Sequence, residues 1–241
     1  MSVTITNSKV NYGPKLTVDG LILYLDAANT DCFISGNTTC NNLTTNGLVT
    51  GANGTPGSGA HTPNPDYFPT YSSSYGGVFN FSGGKGMNCD ENLGLRTTTS
   101  LCMWVYKNSS KSYQYFTDAR NNGGQWFLSN YTEYNITYTN ILVYNYGGTY
   151  NASNSDFLNK WIFVVVTSDN TGSNLYLDSE LIVGGSPSVD EDFGINFRIG
   201  TRYTTSGAWT GYMGPIYAYD RVLDLSEIKQ NFNSQKSRFG L

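Results

Sequence analysis

The chain has 241 residues, enough to bury a large core, and an all-β sandwich of this size is routinely one domain. Charged residues are 13%, about half the usual ~25%, which argues against long solvated helices. The net charge is −4 and no Lys/Arg stripe exists, so nucleic acid is not an expected partner. The longest apolar run, WIFVVV at 161–166, falls far short of the ~20 residues that span a bilayer, and no membrane partner is expected.

Residues 1–19 read as an extended N-terminal arm, with Ser2–Lys9 alternating and Gly13 and Pro14 interrupting the pattern. MSVTITNSKV has no apolar stretch of signal-peptide length, so a cytoplasmic origin is expected. GLILYLDAAN at 20–29 reads as a central strand, with Leu21, Leu23 and Leu25 on one face and Ile22, Tyr24 and Asp26 on the other. Residues 30–77 are rich in Thr, Asn, Gly, Pro and Ser without periodicity, and read as a held loop excursion.

From residue 78 strands follow densely: VFNFS, GMNC (86–89), SLCMWVYK (100–107), YQYFT (113–117), QWFLS (125–129), EYNITYT (133–139) and ILVYNY (141–146). WIFVVVTS at 161–168 is the most apolar and should be central. NLYLDSELIVGG at 174–185 reads as a hairpin turning at Asp178-Ser179, with Leu175, Leu177, Leu181 and Val183 toward the core. FRIG at 197–200 and GYMGPIYAYDRV at 211–222 complete the set, and strands at this spacing argue a sandwich. One helix is expected at 225–236: Asp224 and Glu227 form a capping box, Leu225, Ile228 and Phe232 pack inward, and Lys236 and Arg238 sit at the dipole's negative end.

GLILYLDAAN, GGVFNFSGGKGMNC (76–89), TTSLCMWVYKN (98–108) and WIFVVVTSDNTGSNLYLDSELIVGG (161–185), in this order, resemble the concanavalin A-like (laminin G-like) lectin/glucanase superfamily over about residues 20–241. The resemblance implies an all-β jelly-roll sandwich of two antiparallel sheets with a short C-terminal helix. The opening GLILYLDAAN and the closing EIKQNFN…RFG look most like virion structural proteins of tailed bacteriophages. That likeness implies a non-enzymatic head decoration protein on the virion surface, assembled in the host cytoplasm. Its partners would be major capsid or tail proteins, further copies of itself and host-surface glycans. The alternative is a carbohydrate-binding adhesin or receptor-binding module of a tail fibre or spike. The arm at Ser2–Lys9 would add a strand to a neighbour's sheet edge.

Glucanases of the superfamily place paired acids on one strand, where alternation puts residues i and i+2 on the same face. None of the five glutamates (Glu91, Glu133, Glu180, Glu191, Glu227) has an acid two residues later. Asp190-Glu191-Asp192 lies between Pro187 and Gly194 and reads as a solvated turn. The single histidine, His61, lies in a Pro-rich loop without a nucleophile elbow, so no catalytic residues are expected. The four cysteines, Cys32, Cys40, Cys89 and Cys102, lack zinc-site spacing; Cys32 and Cys40 are near enough in sequence to bridge one loop, but reduced thiols are expected.

No cofactor or metal ligand set is assigned. The resemblance leaves room for Ca²⁺ at the sandwich rim, with Asp118, Asn121 and Asn122, or Asp169 and Asn170, as oxygen donors. For a glycan, the candidates are Tyr203, Trp209 and Tyr212 in GTRYTTSGAWTGY and Tyr144 and Tyr146 before Gly147-Gly148. They are aromatic rings amid polar turns; interface or strand-edge packing explains such residues equally well.

Overall fold

The computed structural model describes residues 15–45, 47–51, 64–89, 93, 98–108, 114–118, 126–131, 140–145, 148–152, 158–169, 171–184, 197–201 and 208–241; for 126–131, 140–145, 148–152 and Val183 the description is of the backbone alone. The first half of the chain supplies β1 (Leu21–Leu25), β2 (Thr39–Asn41), β3 (Leu48–Gly51), β4 (Thr70–Ser72), β5 (Val78–Asn80), β6 (Met87–Cys89), β7 (Thr99–Lys107) and β8 (Gln114–Asp118). The second supplies β9 (Trp126–Tyr131), β10 (Asn140–Asn145), β11 (Gly148–Ala152), β12 (Trp161–Asp169), β13 (Gly172–Leu177), β14 (Glu180–Gly184), β15 (Phe197–Ile199) and β16 (Gly211–Tyr219), followed by α1 (Leu225–Gln235).

The strands form two antiparallel sheets. Sheet A runs β14-β13-β12-β7-β16-β5-β4, with β1 on the C-terminal half of β16, and sheet B runs β11-β10-β9-β8-β15-β6-β3-β2. Alternation explains how they meet. Leu101, Met103, Val105, Ile162, Val164 and Val166 of sheet A pack on Val49, Met87, Cys89, Phe116, Phe197 and Ile199 of sheet B. The intervening Cys102, Trp104, Trp161, Phe163 and Val165 point the other way, into a second core beneath α1. Each such aromatic or aliphatic side chain contributes about 1.5–3 kcal/mol on burial. β12 and β7 are therefore apolar on both faces, which is why 161–168 reads as a continuous apolar run.

Several expectations need correction. β1 is not central: it pairs with β16 alone, and its other edge is clamped by a side chain instead of a strand. Asn42, fully buried, accepts from the Tyr24 N–H (3.0 Å) and donates to the Ile22 carbonyl (2.8 Å), while the Leu43 N–H donates to the Tyr24 carbonyl. A register shift between Leu21 and Leu23 turns Leu21 toward the helix layer, away from Leu23 and Leu25. Residues 30–77 contain β2, β3 and β4, too short and too polar to show periodicity. Lys15–Asp19 is docked, not a free arm: the Thr17 N–H donates to Asn231 Oδ1 (2.9 Å), Gln230 donates to the Lys15 carbonyl, and Arg221 pairs with Asp19. Residues 1–14 and 133–139 lie outside the described residues.

The hairpin turns at Asp178-Ser179, both with positive φ (49° and 71°), but its register pairs Leu177 with Glu180 and Tyr176 with Leu181. Leu181 thereby shares a face with Tyr176 and is 56% exposed, while Leu175 and Leu177 are buried as expected. The capping box at Asp224 and Glu227 is present, with Ile228 buried and Phe232 stacked on Trp104 at 5.6 Å. Leu225, expected to pack inward, is exposed. Phe239 of the turn after α1 stacks on Trp104 (4.5 Å) over Gly214, where an added Cβ would come within 2.5 Å of the Phe239 ring.

Lys236 caps α1, its N–H donating to the Phe232 carbonyl, and so stands at the helix's C-terminal end as expected, while Arg238 lies beyond it in the turn Lys236–Phe239. Arg238 instead turns to Asp26, its Nη1 donating to both carboxylate oxygens (2.9 and 3.0 Å), while Nε donates to the Tyr75 carbonyl and Nη2 to the Gly77 carbonyl. This pair joins the first recognisable motif, LYLDAAN, to the last, RFG. Burial outweighs the guanidinium and raises the Asp26 carboxyl above its usual value.

Candidate functional site

Of the aromatic candidates, the side chains of Trp209 and Tyr212 are described, and they lie on opposite sides of sheet A. Trp209 is fully buried, its ring 4.6 Å from Phe116 in the core between the sheets, so it offers no face to a sugar. Its backbone N–H donates to the Gly200 carbonyl (2.7 Å), which ties the chain just before β16 to the end of β15. Tyr212 lies on the opposite side of sheet A, half-buried, 5.8 Å from Tyr106. Tyr75 and Trp161 extend that patch, with Tyr75 in the left-handed region at φ 52°. Tyr144 occupies β10, in register with Phe127 and Thr149; Tyr146 and Tyr203 lie outside the described residues.

Two of the metal candidates, Asp118 and Asp169, are among the described residues. Asp169 Oδ1 accepts from the Thr171 N–H (2.7 Å), the Thr171 hydroxyl (2.6 Å) and the Gly172 N–H (3.1 Å); these donors, the Thr171 hydroxyl above all, hold its carboxyl below the usual range. It caps its own turn. Asp118 is fully buried in β8, and among the described residues no three His, Cys, Asp or Glu side chains come together. Asn121, Asn122, Asn170 and His61 lie outside the described residues.

The outer face of sheet B carries a polar row. Alternation places Thr50, Asn88 and Arg198 on the side away from their core-facing neighbours, and Asp118 stands opposite Arg198 in register. All four are at most 6% exposed.

An open site lies elsewhere, at the edge of the sandwich where β4 and β2 leave their sheets. A cavity of about 450 Å³ is lined by Phe33, Phe68, Tyr71, Asp66, Asn37 and Lys85, among others. That volume is within the ~300–1,000 Å³ of small-ligand sites. Phe33 anchors its floor, nearly parallel to Phe68 (5.7 Å, 20°) and Tyr71 (6.1 Å, 28°). Ser35, Asn37, Thr38, Asp66 and Thr70, all exposed, supply hydroxyl, amide and carboxylate groups around it. One carboxylate, Asp66, lines the cavity.

Local sequence fixes both walls. Asn64 caps the turn Pro65–Tyr67 by accepting from the Asp66 N–H (2.9 Å), and Pro65 sets the first φ. The Asn64 N–H donates to the Gly51 carbonyl, the Gly86 N–H donates to the Tyr67 carbonyl, and Lys85 donates to the Asp66 carbonyl. Gly51 is required here, since a Cβ would sit 2.1 Å from the Asn64 oxygen. The opposite wall, residues 33–38, starts from a turn in which the Cys32 and Phe33 N–H groups donate to the Asn29 carbonyl. Sequence reasoning missed this site because its residues follow no period; Asn64-Pro65-Asp66 was the one local turn signal.

Comparison with known proteins agrees with this architecture. Residues 82–229 match the family model of the concanavalin A-like lectin/glucanases superfamily. Botulinum neurotoxin type E from Clostridium butyricum is 32% identical over 159 residues, 56% of this chain, and the matched stretch is 12% of the toxin's length. Among solved structures, domain 4 of the extracellular arabinanase AbnA from Geobacillus stearothermophilus, solved with arabinotriose, superposes with a TM-score of 0.65 at 14% identity, covering 88% of this chain and 98% of that one. The sialidase of Trypanosoma rangeli gives 0.64 at 17% identity (92% of this chain, 34% of that one). The binding domain of Paraclostridial Mosquitocidal Protein 1 gives 0.58 at 14% identity (89% and 52%). At these identities the structural likeness speaks to the fold. Two antiparallel sheets, a helix-sealed outer face and a family match over more than half its length make this chain a member of the concanavalin A-like lectin/glucanases superfamily.

Proposed function

We propose that the chain is a non-catalytic saccharide-binding module whose site is the edge groove between residues 33–38 and 65–71. The observation that carries this reading is the groove itself: the half-buried Tyr71 ring, backed by the buried Phe33 and Phe68, with hydroxyl and amide groups, the Asp66 carboxylate and Lys85 around it, a chemistry able to meet the apolar face and the hydroxyl rim of a sugar. The lectin-like fold and the arabinanase domain solved with arabinotriose support it. Hydrolysis by double displacement needs two carboxyls about 5–5.5 Å apart, and among the described groove residues Asp66 stands alone.

A glycan array tests the proposal. The wild-type chain is expected to retain a defined set of sugars, and Asn37→Ala/Asp66→Ala to lose about ten-fold in affinity, roughly the worth of one or two hydrogen bonds. Both positions are exposed, so folding is unaffected. An empty array, or unchanged binding by the variant, overturns the groove.

A second reading concerns setting. Leu181 and Ile182, 56% and 43% exposed on the outermost strand of sheet A, form an apolar edge suited to contact with other copies or with a larger assembly. Together with the terminal motifs, this favours a decoration protein on a tailed-bacteriophage head that displays the groove to host glycans. Mass spectrometry of purified particles tests that setting, and absence of the chain from them overturns it.

A further inference from the structure

The groove wall begins and ends at a cysteine. Cys32 precedes Phe33, and Cys40 lies in β2 just beyond Thr38 and Thr39. The Asn41 N–H donates to the Cys32 carbonyl (2.9 Å) and Asn41 Nδ2 to the Asp31 carbonyl (3.3 Å), so the chain has returned beside its own start. Cys32 Sγ accepts from the Asp26 N–H (3.3 Å), and the Cys32 and Cys40 thiols hydrogen-bond each other. The other two cysteines are placed differently. Cys89 is one strand further on, with Val49 between it and Cys40 in register, and Cys102 is on the helix-facing side of sheet A. The pairing is therefore selective.

We propose that Cys32 and Cys40 form an intramolecular disulfide under oxidising conditions, clasping the loop that makes one wall of the groove. As a control on that wall, the clasp rests on the saccharide-binding reading. The Cys40 thiol, as hydrogen-bond donor, lowers the Cys32 thiol, while burial raises Cys40, which makes Cys32 the attacking thiolate. With oxidised glutathione as oxidant, Cys32 displaces one glutathione thiolate and forms a mixed disulfide. Cys40 then loses its proton and displaces the second. Two protein thiols give up two protons and two electrons, and one glutathione disulfide becomes two glutathione thiols. Both cysteines are 2% exposed, so exchange runs while the 32–40 loop is open or before the sandwich closes.

The test is to refold the full chain in oxidised/reduced glutathione buffer and count thiols after denaturation. The expected count falls from the four of the reduced chain to two, with a peptide map joining Cys32 to Cys40 and a mass lower by two hydrogens. Tm is expected to rise by about 5 °C from constraint of the unfolded chain, and Cys32→Ser/Cys40→Ser to show the same Tm in either buffer. Retention on the glycan array is expected to increase about two- to five-fold on oxidation, because the wall is then pre-organised. Four free thiols at equilibrium, or a link to Cys89 or Cys102, overturns the clasp. Thiol counting needs no ligand: a formed link with a blank array removes the binding reading alone, and binding with four thiols removes the clasp alone.

Discussion

The seam between Asp26 and Arg238 and the groove between residues 33–38 and 65–71 differ in almost every physical respect. The seam is sealed: the Asp26 side chain is 8% exposed, that of Arg238 is 16%, and one guanidinium nitrogen donates to both carboxylate oxygens. The groove is open, ringed by short exposed polar side chains. The seam joins LYLDAAN to RFG, two motifs that stand out in the sequence although both lie outside the residues 82–229 that match the family, and the groove carries no such motif. Recognisable residues here are those the fold needs, and the residues able to meet a ligand are free of that constraint.

The comparison predicts its largest effect at the seam. Arg238→Met leaves a buried carboxylate without its partner and should cost about 3–5 kcal/mol in urea unfolding, with Asp26→Asn/Arg238→Met recovering most of it. Folded Arg238→Met should still bind the same glycans; lost binding at full stability would place the seam in the site. Trp209→Ala should cost a similar amount, about 3–5 kcal/mol, through the cavity left against Phe116, again with sugar specificity intact. If the variant is stable and no longer binds, Trp209 is a ligand contact after all.

Smaller effects sharpen the contrast. Burial pushes the Tyr24 hydroxyl up to about 12, with the Asp26 charge adding to it, and raises Tyr217, Tyr219 and Cys102 as well. These groups stay neutral in the fold while the unfolded chain ionises. Their stability is full below the ordinary tyrosine value of 10.0 and is lost as pH rises from there toward about 12, which thermal melts across that window would read. A flat Tm over the window contradicts the burial of these hydroxyls. Tyr212→Ala, which removes one tilted ring contact with Tyr106, should cost only about 0.5–1.5 kcal/mol and leave glycan binding unchanged. Selective loss of binding would move the site to the tyrosine patch.

The same division separates the elements legible in the sequence from those hidden in it. WIFVVVTS, the capping box at Asp224 and Glu227, and the turn at Asp178-Ser179 were legible because periodicity, capping and turn chemistry are local signals. β2, β3 and β4 were not, since strands of three or four residues are too short to leave a period to read. Leu181 was assigned to the wrong face because a two-residue turn and the bulge after Leu175 set register, and neither shows in hydropathy. Aromatic content pointed to Trp209 as a sugar platform, but a large ring flanked by turns can equally be the wedge between two strands. The groove depends on Phe33, Tyr71 and Lys85 meeting across 53 residues of chain, a contact only the fold supplies.

The most direct test is amide hydrogen exchange of the full chain with and without the sugar that the glycan array retains best. The groove account predicts protection concentrated in 33–38 and 65–71, with β7, β12 and α1 unchanged. Protection confined to the Tyr75–Tyr106–Tyr212 patch or to the outer face of sheet B, with 33–38 and 65–71 unmoved, contradicts it.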